Sequence, residues 1–160
     1  PVPRAIVDPN ESWSIDDVVR LQEVMVELRI DLLEQPLPAG ADDALADIRS
    51  RIPIAADESA HVAGDVAALA AKYDVVNIKL DKTGGLTEAL ALADAAAAAG
   101  MGIMTGCMIS SSLSIAPALV IAARSAFVDL DGPLWLAADR AGVVTGSGGV
   151  LTPTSPGFWG

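Results

Sequence analysis

Short apolar runs alternate along the chain with longer stretches in which apolar residues recur every three or four positions. These are the periods of strand and helix. Residues 5–7 predict a first strand. Ser14 follows as a helix N-cap with Asp17 as its capping-box partner, and Val18, Leu21, Met25 and Leu28 share the helix face beyond it. Residues 30–33 predict a second strand, and 42–49 a short helix with Leu45 and Ile48 inward. Residues 52–56 predict a third strand, 66–72 a helix capped by Asp65, and 75–78 a fourth strand. Gly84-Gly85 opens a helix bearing Leu86, Leu90, Ala93 and Ala97 on one face and stopped by Gly100. Residues 101–105 form a fifth strand. Residues 113–123 are helical provided that Pro117 falls in the first turn, and Phe127-Val128 begins a sixth strand. The Gly-, Thr- and Pro-rich tail from Gly142 predicts irregular structure with one small hairpin.

Strand, helix, strand at this rhythm means parallel strands joined by crossover helices, an α/β class. The apolar pattern alone fits an open doubly wound sheet as well as part of a (β/α) barrel. The polar residues favour the barrel. Asp8, Glu34, Asp57, Lys79 and Asp129 each close a strand, the first four at intervals of 26, 23 and 22 residues. Each interval is one strand-helix unit, so the side chains emerge at one end of the sheet, the active-site end of a barrel. Converging carboxylates repel unless a cation lies between them. Hard oxygen ligands suit Mg²⁺ or Mn²⁺. The alternative is that these are ordinary loop acids.

At 160 residues the chain is short for a complete barrel, which takes about 250. The expected division is a partial barrel over 1–140 and an irregular tail over 141–160. A net charge of −11 with only Lys72, Lys79 and Lys82 as lysines disfavours nucleic acid as a partner. The longest apolar run, 115–123, falls far short of the roughly 20 residues that span a bilayer. No charged-then-apolar leader opens the chain, and the single cysteine, Cys107, fits a reducing cytoplasm.

Several segments carry a resemblance to a known family. Asp8-Pro9-Asn10, Leu33-Glu34-Gln35-Pro36-Leu37, Ala56-Asp57-Glu58-Ser59 and the run Asn77-Ile78-Lys79-Leu80-Asp81-Lys82-Thr83-Gly84-Gly85 resemble the enolase superfamily. Within it they resemble the muconate-lactonizing subgroup and its dipeptide epimerases, as do Gly106-Cys107-Met108 and Asp129-Leu130-Asp131-Gly132-Pro133-Leu134. The resemblance implies strands three to eight of a modified (β/α)₇β barrel, without the N-terminal capping domain. It implies Asp8, Glu34 and Asp57 as ligands of Mg²⁺ or Mn²⁺ and Lys79 as an acid/base. It also implies Asp129 and Asp131 as the pair facing a dipeptide's ammonium group, with Cys107 and Met108 beside the substrate. The activity implied is L-Ala-D/L-Glu-type epimerisation through a metal-stabilised enediolate. A nearby divalent cation is expected to lower the Lys79 pKa toward working pH.

The family's second lysine lies in a K-x-K motif on barrel strand two, and no such motif occurs in this chain. The expectation is therefore the C-terminal portion of such an enzyme. Muconate cycloisomerase, o-succinylbenzoate synthase and a non-catalytic remnant are the rival readings. The first two handle substrates without an ammonium group, which the Asp129/Asp131 pair disfavours.

Some residues carry plainer readings. Lys82 serves the loop after the fourth strand, His61 is solvated or starts a helix, and Cys107 packs. Ser110, Ser111 and Ser112 either cap a helix or bind a carboxylate. Asp129 and Asp131, read as buried, alternatively pair with Arg124 or Arg140. Trp13 packs its loop, while Trp135, Phe158 and Trp159 face another domain or one another. Unpaired edges beside the first and last strands favour self-association.

Overall fold

The computed structural model describes residues 4–155, 157 and 158. Six strands pair in chain order, all parallel, and curl into part of a barrel. They are β1 (Ile6–Val7), β2 (Leu32–Glu34), β3 (Ile54–Ala56), β4 (Val75–Ile78), β5 (Gly102–Thr105) and β6 (Phe127–Val128). Side chains alternate between the two faces of each strand. Ile6, Leu32, Ala55, Val75, Met104 and Phe127, one from each strand, form a single apolar cluster on the inner face. Two residues further along each strand come Asp8, Glu34, Asp57, Asn77, Gly106 and Asp129. The interior is thus an apolar layer surmounted by a polar one at the carboxyl ends of the strands. Val7, Leu33, Ile54, Val76, Ile78 and Ile103 point outward into the larger core beneath the helices. Across the two sheet edges, the Arg4 guanidinium donates to the Ala126 carbonyl at 3.0 Å and lies over the Phe127 ring.

The helical elements cover the outer face. In α1 (Ile15–Glu27) the Ser14 hydroxyl accepts from the Asp17 N–H, and the Asp17 carboxylate accepts from the Ser14 N–H. Such a cap is worth about 1 kcal/mol. Val18 and Met25 are buried, but α1 stops before Leu28, which is exposed. Residues 42–49 form only a 3₁₀ turn, Asp43–Asp47. The helix predicted over 66–72 shrinks to a 3₁₀ turn, Ala63–Asp65, followed by α2 (Val66–Leu69). Asp65 does not cap α2, because its carboxylate turns back to accept from the His61 and Val62 N–H groups. A short helix, α3 (Leu80–Thr83), follows β4 before α4 (Leu86–Ala98). In α5 (Ser112–Ala122), Pro117 is the sixth residue and not in the first turn. The helix continues without the N–H that would reach the Leu113 carbonyl.

After β6 comes a 3₁₀ turn, Gly132–Trp135. A hairpin of β7 (Thr145–Ser147) and β8 (Val150–Thr152) follows. Gly148 and Gly149, with φ of +57° and +76°, make its two-residue turn. The Asp139 carboxylate accepts from Ser112 N and Oγ, and the Val144 N–H donates to Ser112 Oγ at 3.1 Å. The start of α5 therefore anchors the segment before the hairpin. Trp13, expected to pack its loop, packs against the core; Trp159 lies outside the described residues. No helix among the described residues is long and apolar enough to cross a membrane.

Candidate active site

Asp57 follows β3 and is 1 % exposed. Its Oδ2 accepts from Lys79 Nζ at 2.5 Å and its Oδ1 from Lys82 Nζ at 2.5 Å. Lys82 Nζ also donates to the Asp57 carbonyl and, at 3.2 Å, to that of Asn77. Glu34 closes β2, is 4 % exposed, and accepts from Asn77 Nδ2 at 2.6 Å. Asp8 is exposed at the rim, where its Oδ1 accepts from the Asn10 N–H. Lys79 sits between β4 and α3 with its side chain 13 % exposed. The fold thus gathers Asp8, Glu34, Asp57 and Lys79 at one end of the sheet. It also brings in Lys82, which reaches back from α3 to Asp57 instead of serving the loop.

Burial, and then the charges of Asp57 and Asp8, push the Glu34 carboxyl up to about 8. Burial pushes Asp57 the same way, but the charges and hydrogen bonds of Lys82 and Lys79 win and hold it below the ordinary carboxylate range. Burial pulls Lys79 down, yet its hydrogen bond and ion pair with Asp57 outweigh this, leaving the ammonium above its usual range. The Asp57 carboxylate is its nearest partner. Lys82 is lowered, chiefly by burial and further by the Lys79 charge.

As they stand, no three His, Cys, Asp or Glu side chains among the described residues are arranged to grip a metal ion. Asp57 is turned to two ammonium groups that provide the positive charge. The donor set still fits a hard cation. Glu34 is driven toward protonation by burial and then by the charges of Asp57 and Asp8, and a cation held by oxygen ligands would relieve both.

A pH dependence follows. A carboxyl whose folded pKa exceeds its unfolded value favours folding fully below about pH 4.5, and that contribution is lost as pH rises toward about 8. Glu58 and Asp129 are shifted in the same direction, while Asp57, held low, acts below this window. Without divalent cations, the melting temperature is expected to fall between pH 5 and pH 8. Glu34 contributes roughly 3–4 kcal/mol to that fall. Mg²⁺ should restore most at the upper end. A flat profile in thermal melts across this range would contradict the crowding of these carboxylates.

The opposite wall comes from the β5–α5 loop and the segment after β6. Gly106 is required by close approach: a Cβ there would lie 2.7 Å from Asn77 Oδ1 and 3.0 Å from Lys79 Cε. Cys107 packs partly against the core, and Met108 is exposed. Gly132 fits the segment after β6 against this loop, since its Cβ would meet the Met108 carbonyl at 2.5 Å. Asp129 continues the ladder through its N–H to the Thr105 carbonyl. Asp131 does not share that strand but begins the Gly132–Trp135 turn, and Trp135 Nε1 donates to its Oδ2 at 2.9 Å. Both carboxylates are exposed, correcting the expectation of a buried pair, because β6 ends at Val128. Desolvation against the wall, and then the Asp131 charge, still raise Asp129. Arg124 pairs with Asp94 and Arg140 lies over Phe158, so the alternative pairing of Asp129 and Asp131 with these arginines does not form. A groove of about 280 Å³ runs beside Asp129, Asp131 and Leu134, with the hairpin as its far side.

Lys82, Asn77, Gln35 and Glu58 were not singled out from the sequence as site residues. Asn77 could have been, since it lies two residues before Lys79 on a strand and faces the same way. Lys82 needed knowledge of the helical turn that folds it back.

Residues 1–158 match the enolase C-terminal domain-like family, and the chain belongs to that family. Over 155 residues it is 48% identical to N-acetyl-D-glutamate racemase from a Pseudoalteromonas species, covering 97% of this chain and 49% of that protein. It is 50% identical over 134 residues to L-Ala-D/L-Glu epimerase of Escherichia coli K12, covering 84% and 42%. Among solved structures, an enolase family member from Agrobacterium tumefaciens, with homology to dipeptide epimerases and with bound sodium and L-Ala-L-Glu, superposes with a TM-score of 0.93. It is 49% identical, with 98% of this chain and 48% of that one covered. A dipeptide epimerase from Methylococcus capsulatus, complexed with Mg and L-Arg-D-Lys, gives 0.86 at 41% identity, covering 94% and 45%. The chain spans about half the length of these relatives.

Proposed function

We infer that this chain carries the cation site and one proton-transfer lysine of a divalent-cation-dependent epimerase acting on dipeptides of the L-Ala-D/L-Glu kind. The observation that carries this reading is the buried pair Glu34 and Asp57 at adjacent strand ends, with Lys79 2.5 Å from Asp57. The Escherichia coli epimerase and the two dipeptide-bound structures support the substrate class.

Asp8, Glu34 and Asp57 would hold Mg²⁺ or Mn²⁺. Such an ion supplies positive charge to a substrate carboxylate whose α-carbon is losing a proton. Lys79, as the neutral amine, takes that proton, and the C–H electron pair passes into the carboxylate to give an enediolate. A proton returned to the opposite face inverts the centre; returned by Lys79, it restores the original configuration. With Asp57 no longer paired to it, Lys79 loses the contact that keeps it protonated, and its burial then favours the free base. Asp129 and Asp131 face the substrate's ammonium group from the other wall, beside Cys107 and Met108.

A second reading is favoured by the racemase relative: an N-acylated amino acid as substrate, with the same proton chemistry at its α-carbon. Deuterium uptake from D₂O at the α-carbon, followed by NMR on the natural protein with Mg²⁺, separates the two. L-Ala-L-Glu is expected to exchange, and Asp129→Asn to slow it far more than it slows N-acetylglutamate. Exchange of N-acetylglutamate alone would establish the second reading. No exchange on either substrate would overturn both.

A further inference from the structure

Gln35 is 0 % exposed and carries a polar amide. Its φ is +26°, an uncommon conformation for a residue with a Cβ, and it directly follows Glu34. Its polar atoms tie together three loops. The backbone N–H donates to the Ala55 carbonyl at 2.9 Å, extending the β2–β3 ladder beyond Glu34. The backbone carbonyl accepts from the Glu11 N–H at 2.9 Å, in the loop after β1. The side-chain Oε1 accepts from the Asp57 N–H at 2.8 Å and the Ser59 N–H at 3.2 Å, in the loop after β3. The two hydrogens on Nε2 are shared among three acceptors within reach, the Leu37 carbonyl at 2.8 Å, Tyr73 Oη at 2.9 Å and Ser59 Oγ at 3.0 Å. A buried amide is costly unless it is bonded, and this one is bonded at both ends. One residue therefore connects the three segments that carry Asp8, Glu34 and Asp57.

We propose that Gln35 is a positioning residue for the cation site, clamping the Asp57 main chain against Glu34 so that their carboxylates meet one ion. The proposal rests on the cation-site reading above. Partners of this kind orient the groups that ligate a metal, and losing one typically weakens binding 10- to 100-fold. A residue that only fills the core would alter stability and leave cation affinity alone.

The test is Mn²⁺ binding to the natural protein, measured by calorimetry and by the free-ion electron paramagnetic resonance signal. Gln35→Met keeps the length and loses every side-chain hydrogen bond, and it should weaken Mn²⁺ binding roughly 10- to 100-fold. Tyr73→Phe leaves the Leu37 carbonyl and Ser59 Oγ for the two amide hydrogens and leaves Oε1 on the Asp57 N–H, so it should leave Mn²⁺ affinity unchanged even if it lowers the melting temperature. Gln35→Glu retains an acceptor for the Asp57 and Ser59 N–H groups and should rescue binding. Should Gln35→Met fail to fold, Gln35→Asn decides the matter against the unaltered protein, because it keeps the amide but draws it one methylene back from the Asp57 N–H: a tenfold or greater loss of Mn²⁺ affinity supports the clamp, and equal affinity overturns it. Equal affinity in Gln35→Met and the unaltered protein overturns this proposal alone. No Mn²⁺ binding by the unaltered protein overturns the cation-site reading and this proposal with it.

Discussion

Lys79→Met is expected to slow α-proton exchange by about 10²- to 10⁴-fold, the usual contribution of a positioned general base. The loss should fall on kcat and leave KM nearly unchanged, because the proton moves only in the transition state. Lys79 projects from the end of β4 into the polar layer, and Gly106 opposite leaves the room its Cε occupies. Lys82 cannot take over. It is held by the Asp57 and Asn77 carbonyls as well as by the Asp57 carboxylate, so its ammonium is committed to the floor of the site. Deuterium uptake into each substrate epimer measures the effect directly. A loss smaller than about tenfold would place the base elsewhere.

The parts of this site that could be read from the sequence were those set by strand alternation. A run of apolar residues ended by one charged residue, repeated at strand-helix intervals, places Asp8, Glu34, Asp57 and Lys79 at one end of a parallel sheet without further knowledge. The capping box of Ser14 and Asp17 is likewise local, since both partners lie within one turn. What escaped depends on contacts between distant segments. Gln35 reads as an ordinary polar residue beside a proline, and its role arises only when the loop after β3 comes within reach of its amide. Lys82 reads as a loop lysine until α3 turns it back toward Asp57. Asp129 and Asp131 alternate correctly for a strand, but the ladder stops at β6 and Asp131 begins a 3₁₀ turn. Helix ends failed for a similar reason. Asp65 has the chemistry of a cap for α2, yet two N–H groups on its other side compete for the carboxylate and win.

Asp57→Asn should have the largest effect on stability. The carboxylate is 1 % exposed and is the shared counter-ion of two lysines whose side chains are 13 % and 15 % exposed. The amide that replaces it has nearly the same shape, so packing is preserved while the negative charge is lost. Its one carbonyl oxygen can accept from one ammonium, and its NH₂ group faces the other, donor against donor. Removing one member of a buried ion pair typically costs about 3–5 kcal/mol. For a domain of this size that is a fall in melting temperature of roughly 6–20 °C. Lys82, already lowered by burial, would then be the first of the two to shed its proton, so the deficit should narrow as pH is raised. On the proposed cation site, Mg²⁺ should raise the melting temperature of the unaltered protein and no longer that of Asp57→Asn, whose side chain has lost its charge. Adding Lys82→Met to Asp57→Asn should recover part of the loss, because it removes a charge left without a partner. Thermal melts of the single and double variants, with and without Mg²⁺, read all of these. If Asp57→Asn melts with its parent and still responds to Mg²⁺, Asp57 neither compensates the lysines nor holds the ion.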